Sequence, residues 1–111
     1  TKLEVTSNEG SQIDLNIDAD VLEGKVNTGG ILKLSGNVES QTVVVNTGGQ
    51  YDGQNLKTEI TKITTNAGGN ASVYASKSVD ATTRAGGVID VYGKPQMKNE
   101  KKVVGGKINY R

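Results

Sequence analysis

Apolar and polar residues alternate with a period of two in the first segment of the chain. Apolar side chains fall at every second position, at Leu3, Val5, Ile13, Leu15, Ile17 and Ala19. Acidic, amide and hydroxyl side chains fill most of the positions between them. This period is typical of β-strands with one buried face, because successive side chains of a strand point to opposite sides. The segment is therefore predicted to form half-buried strands.

A Gly-Gly pair recurs at almost constant spacing through the rest of the chain. The pairs are Gly29-Gly30, Gly48-Gly49, Gly68-Gly69, Gly86-Gly87 and Gly105-Gly106. Successive pairs lie 19, 20, 18 and 19 residues apart, with strand-like segments around them. Such repeats predict a parallel β-solenoid, in which each coil hydrogen-bonds to the next. We expect an all-β fold, a right-handed parallel β-helix of about five to six coils with Gly-Gly at one corner.

The glycine pairs also predict which side chains point inward. Glycine suits a sharp corner, because the missing Cβ permits positive φ and close stacking of neighbouring backbones. Inward positions are expected two and four residues after a pair, at Leu32, Leu34, Ala71, Val73, Ile89, Val91, Ile108 and Tyr110. Inward positions are also expected one, three and five residues before each glycine pair. The first of these positions is occupied by Thr28, Thr47, Ala67 and Ala85.

The length and composition fit one domain. The chain has 111 residues, of which 33% are hydrophobic, and it has no Phe or Trp. We expect a single β-solenoid domain over residues 1–111, with an amino-terminal coil or cap at 1–20 and regular repeats at 21–111. No apolar run approaches the roughly 20 residues of a membrane-spanning helix, so no membrane span is predicted. The chain starts at Thr1 without a targeting segment and is expected to be part of a longer precursor.

The residue types argue against the common catalytic and metal-binding centres. The chain has no Cys and no His, so thiolate ligands and the usual neutral-pH general base are absent. Asn16-x-Asp18-x-Asp20 superficially resembles a calcium loop, but Val21 and Asn27 stand where that loop needs glycine and glutamate. We interpret these acids as an exposed strand face. No enzyme activity and no cofactor are predicted.

A lysine cluster near the end of the chain does not indicate nucleic-acid binding. Its members are Lys98, Lys101, Lys102 and Lys107. Proteins that bind single strands interleave such charge with several aromatic residues, and the net charge of this chain is only +1. The cluster is interpreted as a solvated loop, which could also protect the strand edge of the last coil.

Asparagine recurs at one position of three successive repeats, at Asn27, Asn46 and Asn66, and Arg84 takes that position in the fourth. One interpretation is an amide ladder, in which each side chain hydrogen-bonds to its neighbours on adjacent coils. The other is a polar stripe that binds a ligand. The ladder is favoured.

Two tyrosines define a candidate binding site. Tyr74 and Tyr92 both lie five residues after their second glycine, so we expect them to stack on adjacent coils and face outward. Lys77 and Lys94 lie close to them in sequence. Tyrosine offers apolar area with a polar tip, so these four residues could hold a glycan or a peptide. The alternative is an aromatic ladder with a structural role only.

The later repeats resemble a known family. The resemblance rests on the run from Val79 to Pro95, which contains Arg-Ala-Gly-Gly and Tyr-Gly-Lys-Pro, on the preceding run from Asn66 to Ala75, and on Gly105-Gly-Lys-Ile108. These segments resemble the C-terminal repeats of the head GIN domain, found in auto-transporter adhesin-like proteins common in Bacteroidetes. Asn46 to Leu56 resembles a middle repeat, and the likeness covers roughly Val21 to Ile108. It implies a secreted or envelope-anchored β-solenoid with a role in adhesion, in domains usually longer than this chain.

Two functional hypotheses follow. The first is a non-enzymatic cell-surface or periplasmic interaction domain that binds a protein, a glycan or a copy of itself. Such a protein would be secreted, periplasmic or anchored to the outer membrane. The alternative is a self-assembling structural solenoid, similar to bactofilins, that polymerises end to end. Residues 1–55 carry a net charge of −5 and residues 56–111 carry +6, so a solenoid would have oppositely charged ends that attract each other.

Overall fold

The computed structural model describes residues 2–103 and 105–110, and the regular structure in them is all β-strand. The strands are β1 (Lys2–Ser7), β2 (Gln12–Val26), β3 (Ile31–Asn46), β4 (Gln50–Asn66), β5 (Asn70–Arg84), β6 (Val88–Tyr92), β7 (Met97–Val103) and β8 (Lys107–Tyr110). All strand pairs in these ranges are parallel. The predicted parallel β-solenoid is confirmed, with about six turns of roughly 19 residues each. Its right-handedness stays a prediction.

Each coil pairs in register with the coil one repeat later. Gln12 lies beside Ile31, and Ile31 lies beside Gln50. Besides the Gly-Gly turn, each coil has a bend where the inward and outward alternation shifts, as between Val38 and Gln41 in the second repeat. The post-turn layer contains residues 12–19, 31–38, 50–58, 70–75, 88–92 and 107–110. The pre-turn layer contains residues 2–7, 21–26, 40–46, 60–66, 78–84 and 97–103.

The core lies between the two layers and consists mainly of aliphatic side chains. Positions two and four after the glycine pairs are buried as predicted, from Leu32 and Leu34 to Ile89 and Val91. Burying one such side chain stabilises the fold by about 1.5–3 kcal/mol. Tyr110 differs from the prediction, because 36% of it is exposed. It lies in the last paired coil, where the described residues place no further strand over it.

The residue directly before each of the first four glycine pairs belongs to the turn and is exposed. In the first turn, Thr28 has φ 49° and Gly29 has φ 75°, and the Gly30 N–H donates to the Asn27 carbonyl at 3.0 Å. Positive φ at both central residues is typical of a type I′ turn. The equivalent exposed residues are Thr28, Thr47, Ala67 and Ala85. The prediction that they point inward was wrong, because strand alternation stops where the turn begins.

The two glycines of a pair meet different requirements. Gly86 has φ +89°, and a Cβ there would meet no atom within 4 Å, so backbone conformation alone favours glycine. Gly87 is buried against the preceding coil. A Cβ at Gly87 would lie 2.7 Å from Thr65 Cβ and 3.1 Å from the Gly69 carbonyl oxygen. The second glycine is therefore required by close contact between coils.

The amino-terminal segment pairs in the same ladder as the later coils. β1 lies beside the second half of β2, and the first half of β2 lies beside β3. Leu3, Ile13, Ile17 and Ala19 pack against the core but are only partly buried, and Leu15 is 38% exposed. The acidic and amide residues between them lie in a paired strand. They do not form the loop that the calcium interpretation would need.

Asparagine substitutions can separate the two roles of glycine. Asparagine tolerates positive φ better than most residues, so Gly86→Asn should lower the free energy of unfolding by about 1 kcal/mol or less. Gly87→Asn would force a side chain into Thr65 and the Gly69 backbone and should cost about 1–3 kcal/mol or more. Urea unfolding followed by circular dichroism measures both losses. Equal losses would contradict the close contact assigned to Gly87.

Truncation of two neighbours in β6 tests the inward face. Ile89 is fully buried, whereas Asp90 lies on the outer face and accepts a hydrogen bond from Asn109 Nδ2 at 3.0 Å. Ile89→Ala should cost about 2–5 kcal/mol, because it leaves a cavity in the core. Asp90→Ala should cost about 1 kcal/mol or less. If urea unfolding gave the larger loss for Asp90→Ala, the assignment of faces would be reversed.

Candidate functional site

The structure brings three of the four predicted site residues to the bend side of the solenoid. Tyr74 pairs in register with Tyr92 on the next coil, and both side chains are half-buried. Lys77 lies close by, with its Nζ 3.3 Å from Glu59 Oε2. Lys94 is separate. It is exposed near the carboxy-terminal end, where it lines a small cavity with Pro95, Lys98 and Tyr110.

A groove of about 440 Å³ runs across four successive coils on the bend side. We call it the bend groove, and it is lined by Asp18, Ala19, Asp20, Asn37, Val38, Glu39, Lys57, Thr58, Glu59, Tyr74 and Ser76. One wall is a column set by strand register, which runs from Asp18 through Asn37 and Lys57 to Tyr74. Tyr92 continues this column on the next coil. Tyr74 therefore lines a groove that is longer than the predicted tyrosine pair, and Tyr92 lies beside it on the next coil.

The bend groove is predominantly acidic. Among the described residues that line it, Asp18, Asp20, Glu39 and Glu59 are acidic and Lys57 is the one cation. The ion pair of Glu59 with Lys77 at the rim is mostly solvent-exposed, so it contributes little to stability. Carboxylates are hydrogen-bond acceptors and Tyr74 adds an apolar ring with a polar tip. This combination suits a polar partner that donates hydrogen bonds or carries positive charge.

A buried polar network supports the wall of the groove at Tyr74. The Thr58 hydroxyl donates to the Tyr74 carbonyl oxygen at 2.5 Å and lies 2.5 Å from Thr61 Oγ1. Gln41 Nε2 donates to Thr61 Oγ1 at 3.0 Å, and the Tyr51 hydroxyl donates to Gln41 Oε1 at 2.7 Å. All four of these side chains are buried. The network ties the backbone of Tyr74 to the centre of the solenoid.

This network was not predicted from the sequence, although the sequence contains a signal for it. Gln41 and Thr61 stand in an inward column between Leu22 and Val79. A polar residue at such a position needs a buried partner, because an unpaired buried polar group is costly. The partner, Tyr51, comes from the other layer, so spacing along the chain does not reveal it.

Glycine at position 93 makes room for Tyr74. Gly93 has φ +94°, and a Cβ there would lie 3.0 Å from Tyr74 Cε1 and 2.6 Å from the Ala75 carbonyl oxygen. Its neighbour Tyr92 stands beside Tyr74 on the adjacent coil. The glycine in the run Tyr-Gly-Lys-Pro, which ends at Pro95, therefore has a structural role. It lets the two coils approach each other closely at the tyrosine column.

The predicted amide ladder is confirmed on the turn side. Asn46 Nδ2 donates to Asn27 Oδ1 at 2.8 Å, and Asn66 Nδ2 donates to Asn46 Oδ1 at 2.7 Å. The ladder begins one coil earlier than predicted, because Asn27 Nδ2 also donates to Asn8 Oδ1 at 2.7 Å. The segment Asn8-Glu9-Gly10 could have predicted this earlier step, because it has the same Asn-x-Gly order as the later turns. The amides bond to one another, so this stripe is a structural feature.

Neither a metal centre nor a membrane-spanning helix is found in the described part of the chain. Within residues 2–103 and 105–110, no group of three or more His, Cys, Asp or Glu residues could hold a metal ion. The same residues contain no helix long and apolar enough to cross a membrane. The Lys102 side chain of the predicted lysine cluster lies outside what the structure describes.

Residues 1–95 match the family described as "Putative auto-transporter adhesin, head GIN domain". The chain belongs to this family. A crystal structure described as "a putative adhesin" from Bacteroides fragilis NCTC 9343 has the same fold, with a TM-score of 0.85 and 20% sequence identity. The similarity covers 99% of this chain and 56% of that one, so this chain spans little more than half the length of its structural neighbour. No protein with a curated description matches the sequence.

The stability of this head GIN domain should fall at alkaline pH, because Tyr51 is buried. Burial, and secondarily Asp52, raise the pKa of Tyr51 above its ordinary value of 10.0. Above about pH 10 the unfolded chain therefore releases a proton that the folded domain retains. The stabilisation is complete below about pH 10 and is lost as the pH rises, by up to about 1.4 kcal/mol per pH unit. Urea unfolding between about pH 9 and 11.5 measures this loss.

Tyr51→Phe is the matched variant for this measurement. At neutral pH it should cost about 1–3 kcal/mol, because Gln41 Oε1 loses its buried donor. Its stability should then fall less steeply above pH 10 than that of the wild type. Some slope should remain from Tyr110, whose pKa is also raised by burial and by a hydrogen bond to Glu100. Identical slopes for the two proteins would contradict the role assigned to Tyr51.

Proposed function

We propose that this head GIN domain is a non-enzymatic, adhesin-like interaction domain that binds a surface polymer, either a protein or a glycan, along the bend groove. The observation that carries the proposal is the groove itself, which presents Tyr74 and a row of carboxylates across four coils. The family description and the described neighbour, both adhesins by name, support the same kind of function.

The regular spacing of the groove favours an extended partner. Successive parallel strands lie about 4.8 Å apart, so four coils span roughly 14 Å from the first strand to the last. Glu39 and Glu59 occupy equivalent places on neighbouring coils, and Tyr74 lies in the adjacent column, beside Lys57. A polymer lying across the strands would meet a carboxylate on three successive coils, at Asp20, Glu39 and Glu59. Such repetition suits binding better than catalysis, which needs one differentiated centre.

The proposed location is outside the cytoplasm, either secreted, periplasmic or anchored to the outer membrane. The match to an auto-transporter adhesin family supports this location. Protease treatment of intact cells that express the complete natural protein provides a test. Cleavage within this domain before lysis would support surface exposure, and cleavage only after rupture of the inner membrane would contradict an extracytoplasmic location.

Substitutions in the bend groove test the binding function. The probe is a printed panel of polysaccharides, mucin glycopeptides and extracellular-matrix proteins, and binding of the fluorescently labelled domain is measured. Tyr74→Ala and Glu39→Gln should each weaken binding at least about tenfold, which corresponds to 1.4 kcal/mol. Both side chains face the groove and not the core, so the fold should be retained.

Thr64→Ala is the matched control, because Thr64 is half-buried on the outer face of the pre-turn layer, away from the groove. It should bind like the wild type. Equal loss of binding in this control would show a general effect on the fold. Unchanged binding of the Tyr74 and Glu39 variants would contradict the groove as the site, and a wild type that binds no member of the panel would contradict the proposed function.

A further inference from the structure

Strand β4 contains a β-bulge that interrupts the regular register of the stack. Gly53 of β4 pairs with Val73 of β5. Lys57 pairs with Tyr74, the residue directly after Val73, so residues 54–56 have no counterpart on β5. Bulges commonly lie next to functional sites, where they re-aim side chains. In solenoids, insertions into single repeats often form the binding face.

Buried side chains hold this bulge in one shape. Tyr51, just before it, is 1% exposed, and Leu56, within it, is fully buried. The Tyr51 hydroxyl is fixed by its hydrogen bond to Gln41 Oε1. A Cβ at Gly53 would lie 2.7 Å from the Tyr51 ring, so glycine is required there. The bulge is therefore anchored in the core, and its polar side chains stand on a rigid support.

The outer surface beside the bulge contains a hollow of about 290 Å³, which we call the bulge hollow. This volume is close to the lower end of the range for small-molecule sites, about 300 Å³. Apart from Tyr51, the polar side chains that line it are Gln50, Asp52, Gln54, Asn70, Ser72 and Asp90. A second hollow of about 270 Å³ lies on the β3 side of the bulge and is lined by Asp14, Lys33, Leu34, Ser35, Asp52 and Asn55.

One outward column runs through both hollows. In strand register it passes from Asp14 through Lys33, Asp52 and Ser72 to Asp90. These residues belong to five successive coils. At about 4.8 Å per strand, they span roughly 19 Å from the first strand to the last. The two hollows together therefore suit a chain that lies across the strands better than a single small molecule.

The side chains of the bulge hollow have hydrogen-bonding groups available for a ligand. Asp52, Gln54 and Asn70 make no side-chain hydrogen bond or ion pair with any residue in the described ranges. The amide ladder on the turn side differs, because its amides bond to one another. Amides both donate and accept hydrogen bonds, whereas carboxylates only accept. A matching ligand must carry closely spaced groups that both donate and accept.

Charge separates the remaining classes of ligand. Among the described residues that line the two hollows, Asp14, Asp52 and Asp90 are acidic and Lys33 is the one cation. An anionic chain, such as a polyuronate, would bring like charges together, which is unfavourable. The hydroxyl groups of a neutral saccharide can each donate to a carboxylate and accept from an amide. A neutral saccharide chain therefore fits these hollows best.

We propose that the bulge hollow and its neighbour on the β3 side form a second binding site, which takes a neutral saccharide chain through its hydroxyl groups. Asp52 is the central contact, because it lines both hollows. Gln54 adds an amide from the bulge itself. The site shares no lining residue with the bend groove, so it stands independently of the function proposed for that groove.

Titration with soluble oligosaccharides tests this site. The neutral probes are hexasaccharides of cellulose, starch, mannan, xylan and chitin, and the anionic probes are hexasaccharides of polygalacturonate and hyaluronan. Isothermal titration calorimetry measures binding. The wild type should bind at least one neutral probe, and more tightly than either anionic probe. Asp52→Ala and Gln54→Ala should each weaken this binding at least about tenfold, since the ligand loses a hydrogen-bonding partner.

Two control variants locate the binding. Asp80→Ala makes the same chemical change as Asp52→Ala, but Asp80 lies on the outer face of the pre-turn layer. Glu39→Gln changes the bend groove only. Both should bind the neutral probe like the wild type. Loss of binding in Glu39→Gln but not in Asp52→Ala would place the saccharide in the bend groove and overturn the second site, while leaving the groove proposal intact.

Other results also decide against the second site. A wild type that binds none of the neutral probes, or binds an anionic probe more tightly, would overturn it. Unchanged binding in folded Asp52→Ala and Gln54→Ala would do the same, as would an equal loss in Asp80→Ala. If circular dichroism shows that Asp52→Ala is unfolded, Asp52→Asn, which keeps the shape of the side chain, is scored by the same criteria.

Discussion

Parallel pairing of each coil with the coil about 19 residues later is the constraint on which the rest of this structure depends. It places equivalent residues in straight columns, so each side chain must pack against or hydrogen-bond to the equivalent side chains on the coils above and below it. Inward columns accept Leu, Ile, Val and Ala, because these fill a narrow interior without polar atoms. Asn27, Asn46 and Asn66 satisfy the same constraint differently, since each amide is the hydrogen-bonding partner of the next.

The regular columns depend on the Gly-Gly turn of each coil, and they are interrupted at the bend. On the turn side, the first glycine supplies a left-handed backbone and the second permits contact between coils. On the bend side the coils differ in length, and β4 shifts register against β5 between Gly53 and Lys57. That irregularity brings Lys57 beside Tyr74. The most variable part of the repeat is therefore also the part that forms the groove.

Four polar residues of the interior are bonded to one another. Gln41, Tyr51, Thr58 and Thr61 form a satisfied network at the centre of the stack, where an unpaired group would be costly. This network holds the wall of the bend groove in place.

The sequence by itself determined the period, the parallel solenoid, most of the inward columns and the amide ladder, because these follow from local alternation and from repetition at one spacing. It placed Tyr74 and Tyr92 on adjacent coils for the same reason. It misassigned Thr28 and its equivalents, because alternation does not extend into a turn with positive φ. Only the tertiary structure revealed the acidic groove that Tyr74 lines and the hydrogen bond from Tyr51 to Gln41, since both depend on how the coils meet across a bend of variable length.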